Sequence, residues 1–121
     1  MKNGKIRVGF IGCGGIATSK HFPGMAFYKD TVDMCAFCDI VEEKAVFAAK
    51  EYGSEDAKVY TDYKELLKDP EIDAVHVLTP NVSHCEITVN ALEAGKHVLC
   101  EKPMAATAED AKKMLDARDR T

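Results

Sequence analysis

The sequence predicts an α/β fold in which a doubly wound parallel sheet is covered by helices. Short apolar runs alternate with helical patterns along the chain, as in sheets of this class. The first run also leads directly into a glycine-rich turn, a connection typical of such sheets. A chain of 121 residues, 46% of them hydrophobic, suffices for one packed core and is too short for two. We therefore expect a single domain over residues 1–121.

Five short apolar runs predict the strands: residues 6–11, 34–38, 58–60, 74–78 and 97–100. The first ends in glycines and the second ends at Asp39, whereas the third is the weakest. The last two runs show almost no alternation between apolar and polar residues. This pattern indicates burial on both faces, so these two strands are expected at the centre of the sheet.

The clearest helix follows the second strand, where four residues share one helical face: Ala45, Ala48, Ala49 and Tyr52. Gly53 is positioned to end this helix. The segment 16–28 is less regular, because Pro23 is expected to kink or break a helix there.

Three further helix starts are predicted from capping boxes or near variants, in which a side chain binds the first free backbone amides of a helix. The pairs are Asp62 with Glu65, Ser83 with Glu86, and Thr107 with Asp110. Pro70 and Gly95 supply stop signals.

Composition and charge argue against several classes of partner. The formal net charge is −4 and no basic stripe is present, so nucleic acid is not expected to bind. No apolar run approaches the roughly 20 residues of a membrane span, and no membrane partner is expected. Five cysteines without a signal peptide indicate reduced thiols in a cytoplasmic protein, with no disulfide.

Cys35 and Cys38 have the C-x-x-C spacing of some metal sites. In a regular strand, however, residues three apart point to opposite faces of the sheet, so the two thiols are not expected to share an ion. No metal site is predicted.

The strongest chemical feature is the turn at residues 12–17, Gly-Cys-Gly-Gly-Ile-Ala, which has the G-x-G-x-x-A form of the dinucleotide fingerprint. Gly12 allows a tight turn, Gly14 lets the backbone approach a pyrophosphate, and Ala17 permits close helix packing. The amides near Gly15 and Ile16 are expected to bind the pyrophosphate at the positive end of the helix dipole. The predicted fold is therefore Rossmann-type, although an ordinary strand-to-helix turn is the alternative.

Cys13 lies inside this turn and is also expected at the cofactor. A helix N-terminus lowers the pKa of a thiol, so Cys13 is predicted to be oxidisable when no cofactor covers it.

Asp39, at the end of the second strand, is placed where a βαβ unit meets the adenosine ribose, and its carboxylate can accept both ribose hydroxyls. A 2′-phosphate about 4 Å away would be repelled by roughly 1 to 4 kcal/mol. Ile40, also expected at the cofactor, and Val41 follow, so no adjacent arginine could receive that phosphate. NAD is therefore favoured over NADP. Alternatively, Asp39 caps the helix that begins near Glu42, and both roles are compatible.

Two loops are expected to join this site from the carboxyl ends of the fourth and fifth strands, where such sheets bind ligands. They are Thr79-Pro80-Asn81 and Glu101-Lys102-Pro103. The order GCGGIA, Asp39, TPNVSH and AGKHVLCEKP resembles the Gfo/Idh/MocA oxidoreductases over nearly the whole chain. The Gly-Lys-His-Val run leading into Glu-Lys-Pro is the distinctive part of the resemblance.

The resemblance implies hydride transfer between NAD and a sugar, inositol or related polyol. It makes Lys102 the catalytic residue, close to the nicotinamide and the substrate hydroxyl, and Glu101 its neighbour at the cofactor. Thr79, Pro80 and Asn81 would line the nicotinamide side, and His84 matches a further family position that could instead only cap a helix. The alternative for Glu-Lys-Pro is a charged surface turn.

The family pattern stops at Thr121, before the α+β substrate domain that the resemblance leads us to expect. We therefore expect a cofactor-binding domain that turns over little substrate by itself. Its fifth strand is then an open edge, which could pair with a second copy and make the protein a homo-oligomer.

Two other functions fit a glycine turn followed by an acidic residue. An adenosylmethionine-dependent methyltransferase generally has an acidic residue just before the glycines, where Phe10 and Ile11 stand here. A non-catalytic dinucleotide sensor would bind NAD without reacting it, and the role of Lys102 separates it from an enzyme.

Overall fold

The computed structural model describes residues 4–14, 22–26, 28, 30–79, 83–100 and 108–120. Five strands form one parallel sheet: β1 (Ile6–Ile11), β2 (Val32–Cys38), β3 (Lys58–Tyr60), β4 (Ala74–Val77) and β5 (His97–Cys100). Their order in the sheet is β3-β2-β1-β4-β5, which is the Rossmann order. All five predicted strands are confirmed, with β2 starting two residues earlier than predicted and β4 ending one residue earlier.

Helices connect the strands on both faces of the sheet: α1 (Phe22–Ala26), α2 (Glu42–Tyr52), α3 (Tyr63–Leu67), α4 (His84–Glu93) and α5 (Ala108–Arg120). One core cluster joins Val8 and Phe10 of β1 to Ala45 and Ala48 of α2. The other joins Ile11 and strand β4 to α3 and α4. Because neighbouring residues of β1 belong to different clusters, the sheet is covered on both sides, and the doubly wound prediction is confirmed.

The predicted central position is correct for β4 and wrong for β5. Strand β4 pairs with β1 and β5, whereas β5 pairs only with β4 in the described part of the chain. Leu99 of β5 is 54% exposed. The apolar run of β5 resembled a strand buried on both faces, but the position of a strand in the sheet depends on which strands pair with it, which no local pattern encodes.

A bulge in β2 overturns the geometric reason given for separating Cys35 from Cys38. The register with β1 shifts between the pairs Val8–Met34 and Gly9–Ala36. This shift inserts one residue and reverses the alternation. Both thiols consequently belong to the same core cluster, next to α3 and α4. No group of three or more potential metal ligands is found among the described residues.

The helix ends agree with most of the sequence signals. Asp62 caps α3 by accepting a hydrogen bond from the Lys64 amide at 2.9 Å, as predicted. Helix α4 begins where expected, but the Ser83 side chain does not cap it and instead donates to Thr79 Oγ1 at 2.8 Å. Helix α5 begins at Ala108, and its predicted cap, Thr107, lies outside the described residues.

Gly95 and Gly53 end their helices in different ways. Gly95 has φ +82°, and together with Lys96 it returns two backbone hydrogen bonds to the last turn of α4. Gly53 ends α2 as predicted but has φ −71°, so it is not a left-handed cap. A Cβ on Gly53 would lie 2.5 Å from the Ala49 carbonyl oxygen, so close packing is what requires glycine there. Pro23 is the second residue of α1, and the segment before Phe22 lies outside the described residues.

Buried charge holds the amino edge of the sheet, opposite the edge where the site forms. Arg7 of β1 binds Asp33 at 3.1 Å and Asp56 at 2.6 Å. This guanidinium holds the pKa of the Asp56 carboxyl well below its usual range. The Asp73 carboxylate accepts from the Arg7 amide at 2.9 Å. These contacts join the starts of four neighbouring segments at the amino edge of the sheet.

Lys96 is a buried structural residue for which the sequence analysis predicted no role of its own. Its Nζ donates to the carbonyl oxygens of Asp69 and Ile72, both at 2.7 Å. Lys96→Met is expected to lower the free energy of unfolding by about 2 kcal/mol, because buried carbonyls lose a charged donor. Urea unfolding measures this effect.

Lys58→Met is the matched control, since Lys58 is exposed and contacts the Asp69 side chain at 3.5 Å. An exposed ion pair contributes little to stability, so this variant should keep the wild-type unfolding midpoint. Equal losses in the two variants would contradict a special role for Lys96.

Candidate functional site

The site is built where the carboxyl ends of β1, β2 and β4 meet. The Gly12 amide donates to the Cys38 carbonyl oxygen at 2.8 Å, and the Leu78 amide donates to the Ile11 carbonyl oxygen at 2.8 Å. The start of the glycine-rich turn thus lies between the ends of β2 and β4. In open parallel sheets this edge is where ligands bind.

Gly12 is required by the fold itself. Its φ is +102°, a left-handed conformation that side chains with a Cβ rarely adopt. A Cβ there would also lie 2.8 Å from the Leu78 carbonyl carbon and 2.9 Å from the Thr79 nitrogen. The structure therefore agrees with the tight turn expected at this glycine.

Gly14 is in a different situation. A Cβ placed on it would meet no heavy atom within 4 Å among the described residues. The described residues therefore leave this position open, as needed for a backbone that a pyrophosphate approaches. The rest of the fingerprint, Gly15, Ile16 and Ala17, lies outside the described residues.

Asp39 follows β2 and points its carboxylate at the turn. Its Oδ2 accepts from the Cys13 amide at 2.9 Å, and its Oδ1 accepts from the Val41 amide at 2.9 Å. The bond to Val41 supports the start of α2, where Val41 itself provides no side-chain cap. The capping alternative therefore holds in part, and the carboxylate keeps acceptor capacity for further donors. Ile40, beside it, is 91% exposed.

The carboxyl ends of β4 and β5 lie at the same edge. The two strands are paired in parallel up to Val77 and Cys100. Thr79 is half-buried and its Oγ1 accepts from Ser83, a bond that the sequence analysis missed. The spacing of the two hydroxyls across a short loop was the signal for it. His84 is the first residue of α4. Four other predicted site residues lie outside the described residues: Pro80, Asn81, Glu101 and Lys102.

The Cys13 thiol does not have the lowered pKa that was predicted. It is only 4% exposed, and burial raises its pKa to about 12, with the Asp39 carboxylate adding to the increase. Its Sγ lies 3.5 Å from the Cys38 carbonyl oxygen. The sequence placed Cys13 correctly in the turn but could not show that its side chain points into the core.

Cys13 is accordingly expected to resist iodoacetamide at pH 8 whether or not NAD is present. A thiol with a pKa of about 12 is almost entirely protonated at that pH, and reagent cannot reach it. The half-buried Cys85 should be modified first, and unfolding in urea should expose Cys13. Peptide mass spectrometry reads each site, and rapid labelling of Cys13 in the folded protein would contradict this expectation.

The described helices include none that is long and apolar enough to span a membrane. Four cysteines are free: Cys13, Cys35, Cys38 and Cys85.

Comparisons with known proteins identify the family of this chain. The model of the Gfo/Idh/MocA family, an oxidoreductase family with an NAD-binding Rossmann fold, matches residues 6–121. The inositol 2-dehydrogenase of Salmonella typhimurium is 36% identical over 115 residues, which is 95% of this chain and 34% of that protein. The chain thus spans about a third of the length of the curated relatives it matches.

Two solved structures show the same fold with different cofactors. The myo-inositol dehydrogenase of Lactobacillus casei, in complex with NAD(H) and myo-inositol, is 33% identical with a TM-score of 0.88. The match covers 97% of this chain and 34% of that one. A 3-ketoreductase of Actinomadura kijaniata, in complex with NADP and TDP-benzene, is 30% identical with a TM-score of 0.86, covering 96% and 34%.

Proposed function

The chain belongs to the Gfo/Idh/MocA oxidoreductases as their NAD-binding Rossmann domain, and from this we propose that residues 1–121 form one domain that binds NAD at the carboxyl edge of its sheet. The full-length protein then transfers hydride between NAD and a sugar, inositol or related polyol. The observation that carries the proposal is the Asp39 carboxylate, fixed 2.9 Å from the backbone of the glycine-rich turn. An anionic acceptor beside an open phosphate turn matches ribose and pyrophosphate together.

The described residues fit a dinucleotide. Gly14 leaves room for the pyrophosphate, and Asp39 retains acceptor positions for the ribose hydroxyls. Because the Cys13 amide is already bound to Asp39, the proposed phosphate donors are the amides from Gly14 to Ile16. The exposed Ile40 offers an apolar surface for the adenine.

The proposed chemistry is divided between the cofactor and the protein. NAD accepts or supplies the hydride. Lys102 donates to the substrate oxygen, stabilises the alkoxide charge that develops there and relays its proton. Glu101 orients this lysine or binds the cofactor. Three residues line the nicotinamide side: Thr79, Pro80 and Asn81. His84, at the start of α4, is a further position at the cofactor. No metal takes part in this proposal.

NAD is proposed over NADP on the basis of charge. A 2′-phosphate would lie next to the Asp39 carboxylate, and no arginine follows it, since Ile40 and Val41 occupy those positions. Relatives of this fold occur in complex with either cofactor, so the fold alone does not decide the choice.

Calorimetric titration with NAD and NADP in separate experiments tests the proposal. At about 4 Å, repulsion of roughly 1 to 4 kcal/mol by one carboxylate predicts NAD binding at least about fivefold tighter than NADP. Tighter binding of NADP would overturn the choice of cofactor. If neither titration gives a heat of binding, the proposed binding function itself is overturned.

The same proposal covers the partners, the cellular location and the oligomeric state of the protein. Its partner is a small polyol or sugar, with no nucleic acid or membrane involved, and it works in the cytoplasm, as its free cysteines favour. Within the described part of the chain β5 pairs only with β4, which supports association with a second copy as a homo-oligomer. A strictly monomeric sedimentation profile at high concentration would refute this association.

A further inference from the structure

We infer that Asp39 has a second task besides reading the ribose: it anchors the glycine-rich turn in the shape that meets the pyrophosphate. This inference rests on the proposed NAD site, because it concerns how that site is held before the cofactor arrives. One side chain would then couple recognition of the sugar to the geometry of the phosphate turn.

Three hydrogen bonds tie the turn to the end of β2. The Gly12 amide binds the Cys38 carbonyl oxygen at 2.8 Å, and the Cys13 thiol lies 3.5 Å from that same oxygen. The third is the bond from the Cys13 amide to Asp39 Oδ2 at 2.9 Å. It is the one bond of the three that uses a charged side chain. A charged acceptor makes the strongest of such contacts, so Asp39 supplies the main side-chain restraint on the turn.

The acceptor capacity of the carboxylate allows both tasks at once. A carboxylate offers about four lone-pair positions, two on each oxygen. The Cys13 amide takes one on Oδ2, and the Val41 amide takes one on Oδ1. One position per oxygen remains, which matches the two hydroxyls of a ribose. Binding of the sugar therefore does not require Asp39 to release the turn.

This arrangement prepares the turn for the ligand. A turn held in place before binding loses less conformational entropy when the pyrophosphate arrives, which raises affinity. It also has a consequence for cofactor specificity. A substitution at Asp39 that removes the repulsion of NADP also frees the turn, so the gain in NADP affinity will be smaller than charge alone predicts.

Hydrogen exchange of the Cys13 amide in the cofactor-free protein, measured by NMR, tests the anchor directly. Two variants are compared with the wild type. Asp39→Asn keeps the size of the side chain but replaces one of its two oxygens with an amide nitrogen. That nitrogen cannot accept a hydrogen bond, so either the Cys13 amide or the Val41 amide loses its acceptor. Asp39→Glu keeps the charge but places the carboxylate one methylene group farther from the backbone. Loss of a charge-assisted bond predicts exchange about 10 to 100 times faster in both variants.

Asp62→Asn is the matched control. Asp62 accepts from the amide two residues ahead, that of Lys64, at 2.9 Å, as Asp39 does with Val41. It makes no bond to the turn among the described residues, so exchange of the Cys13 amide should stay at the wild-type rate.

A cofactor measurement separates this inference from the proposed function. Asp39→Glu should still prefer NAD to NADP, because the negative charge remains, while both affinities fall about tenfold with the loosened turn. Unchanged exchange of the Cys13 amide in both Asp39 variants would overturn the anchoring role, whatever happens to NAD affinity. Faster exchange in a protein whose wild type binds no NAD would support the anchor and overturn the proposed function.

Discussion

Gly12→Ala is expected to lower the free energy of unfolding by about 3 kcal/mol or more, through backbone strain and overpacking together. The residue has φ +102°, and its new Cβ would lie 2.8 Å from the Leu78 carbonyl carbon and 2.9 Å from the Thr79 nitrogen. Neither neighbour is a flexible side chain. The end of β4 would have to move away from β1, and the hydrogen bond from Leu78 to Ile11 would weaken. Urea unfolding followed by circular dichroism measures the loss.

Gly14→Ala is the control for the same turn. Its Cβ would meet no described atom within 4 Å, so the unfolding midpoint should stay close to that of the wild type. Calorimetry should nevertheless show at least about tenfold weaker NAD binding, because the methyl group occupies space meant for the pyrophosphate. Strong destabilisation by Gly14→Ala, or a stable Gly12→Ala protein, would contradict this division between the fold and the ligand.

Lys102→Ala is expected to reduce turnover by the full-length protein on the order of 100- to 10,000-fold, the usual contribution of a positioned acid or base. The chain leaves β5 at Cys100, beside the end of β4 and on the edge that carries the glycine-rich turn. Residue 102 therefore follows the sheet edge at which we propose the nicotinamide. The affinity for NAD should change little, since the proposal assigns the lysine to the substrate oxygen.

Steady-state oxidation of myo-inositol or glucose with NAD, together with NAD titration, measures the two effects separately. Lys113→Ala is a suitable control, since Lys113 is exposed on α5 and pairs only with Glu109 among the described contacts, at 3.8 Å. It should leave turnover unchanged. If Lys102→Ala weakens NAD binding as much as it slows turnover, the residue is a cofactor contact, and the sensor alternative regains support.

Local sequence signals were sufficient to predict the fold class and to locate the glycine-rich turn and Asp39. The strands predicted at 6–11, 58–60 and 97–100 agree with the structure residue for residue. The glycine fingerprint located the turn, and the position of Asp39 after β2 located its acidic partner. These features depend on neighbours along the chain, so they can be recognised in a single sequence.

Tertiary structure alone decided which way several side chains face and what they bind. The bulge in β2 placed Cys35 and Cys38 in one core cluster, against the alternation of a regular strand. Burial of Cys13 reversed the expected direction of its pKa shift. The bond between Asp39 and the Cys13 amide joins residues 26 positions apart. Burial and hydrogen bonding of this kind depend on how distant elements pack, and no spacing within one segment encodes that.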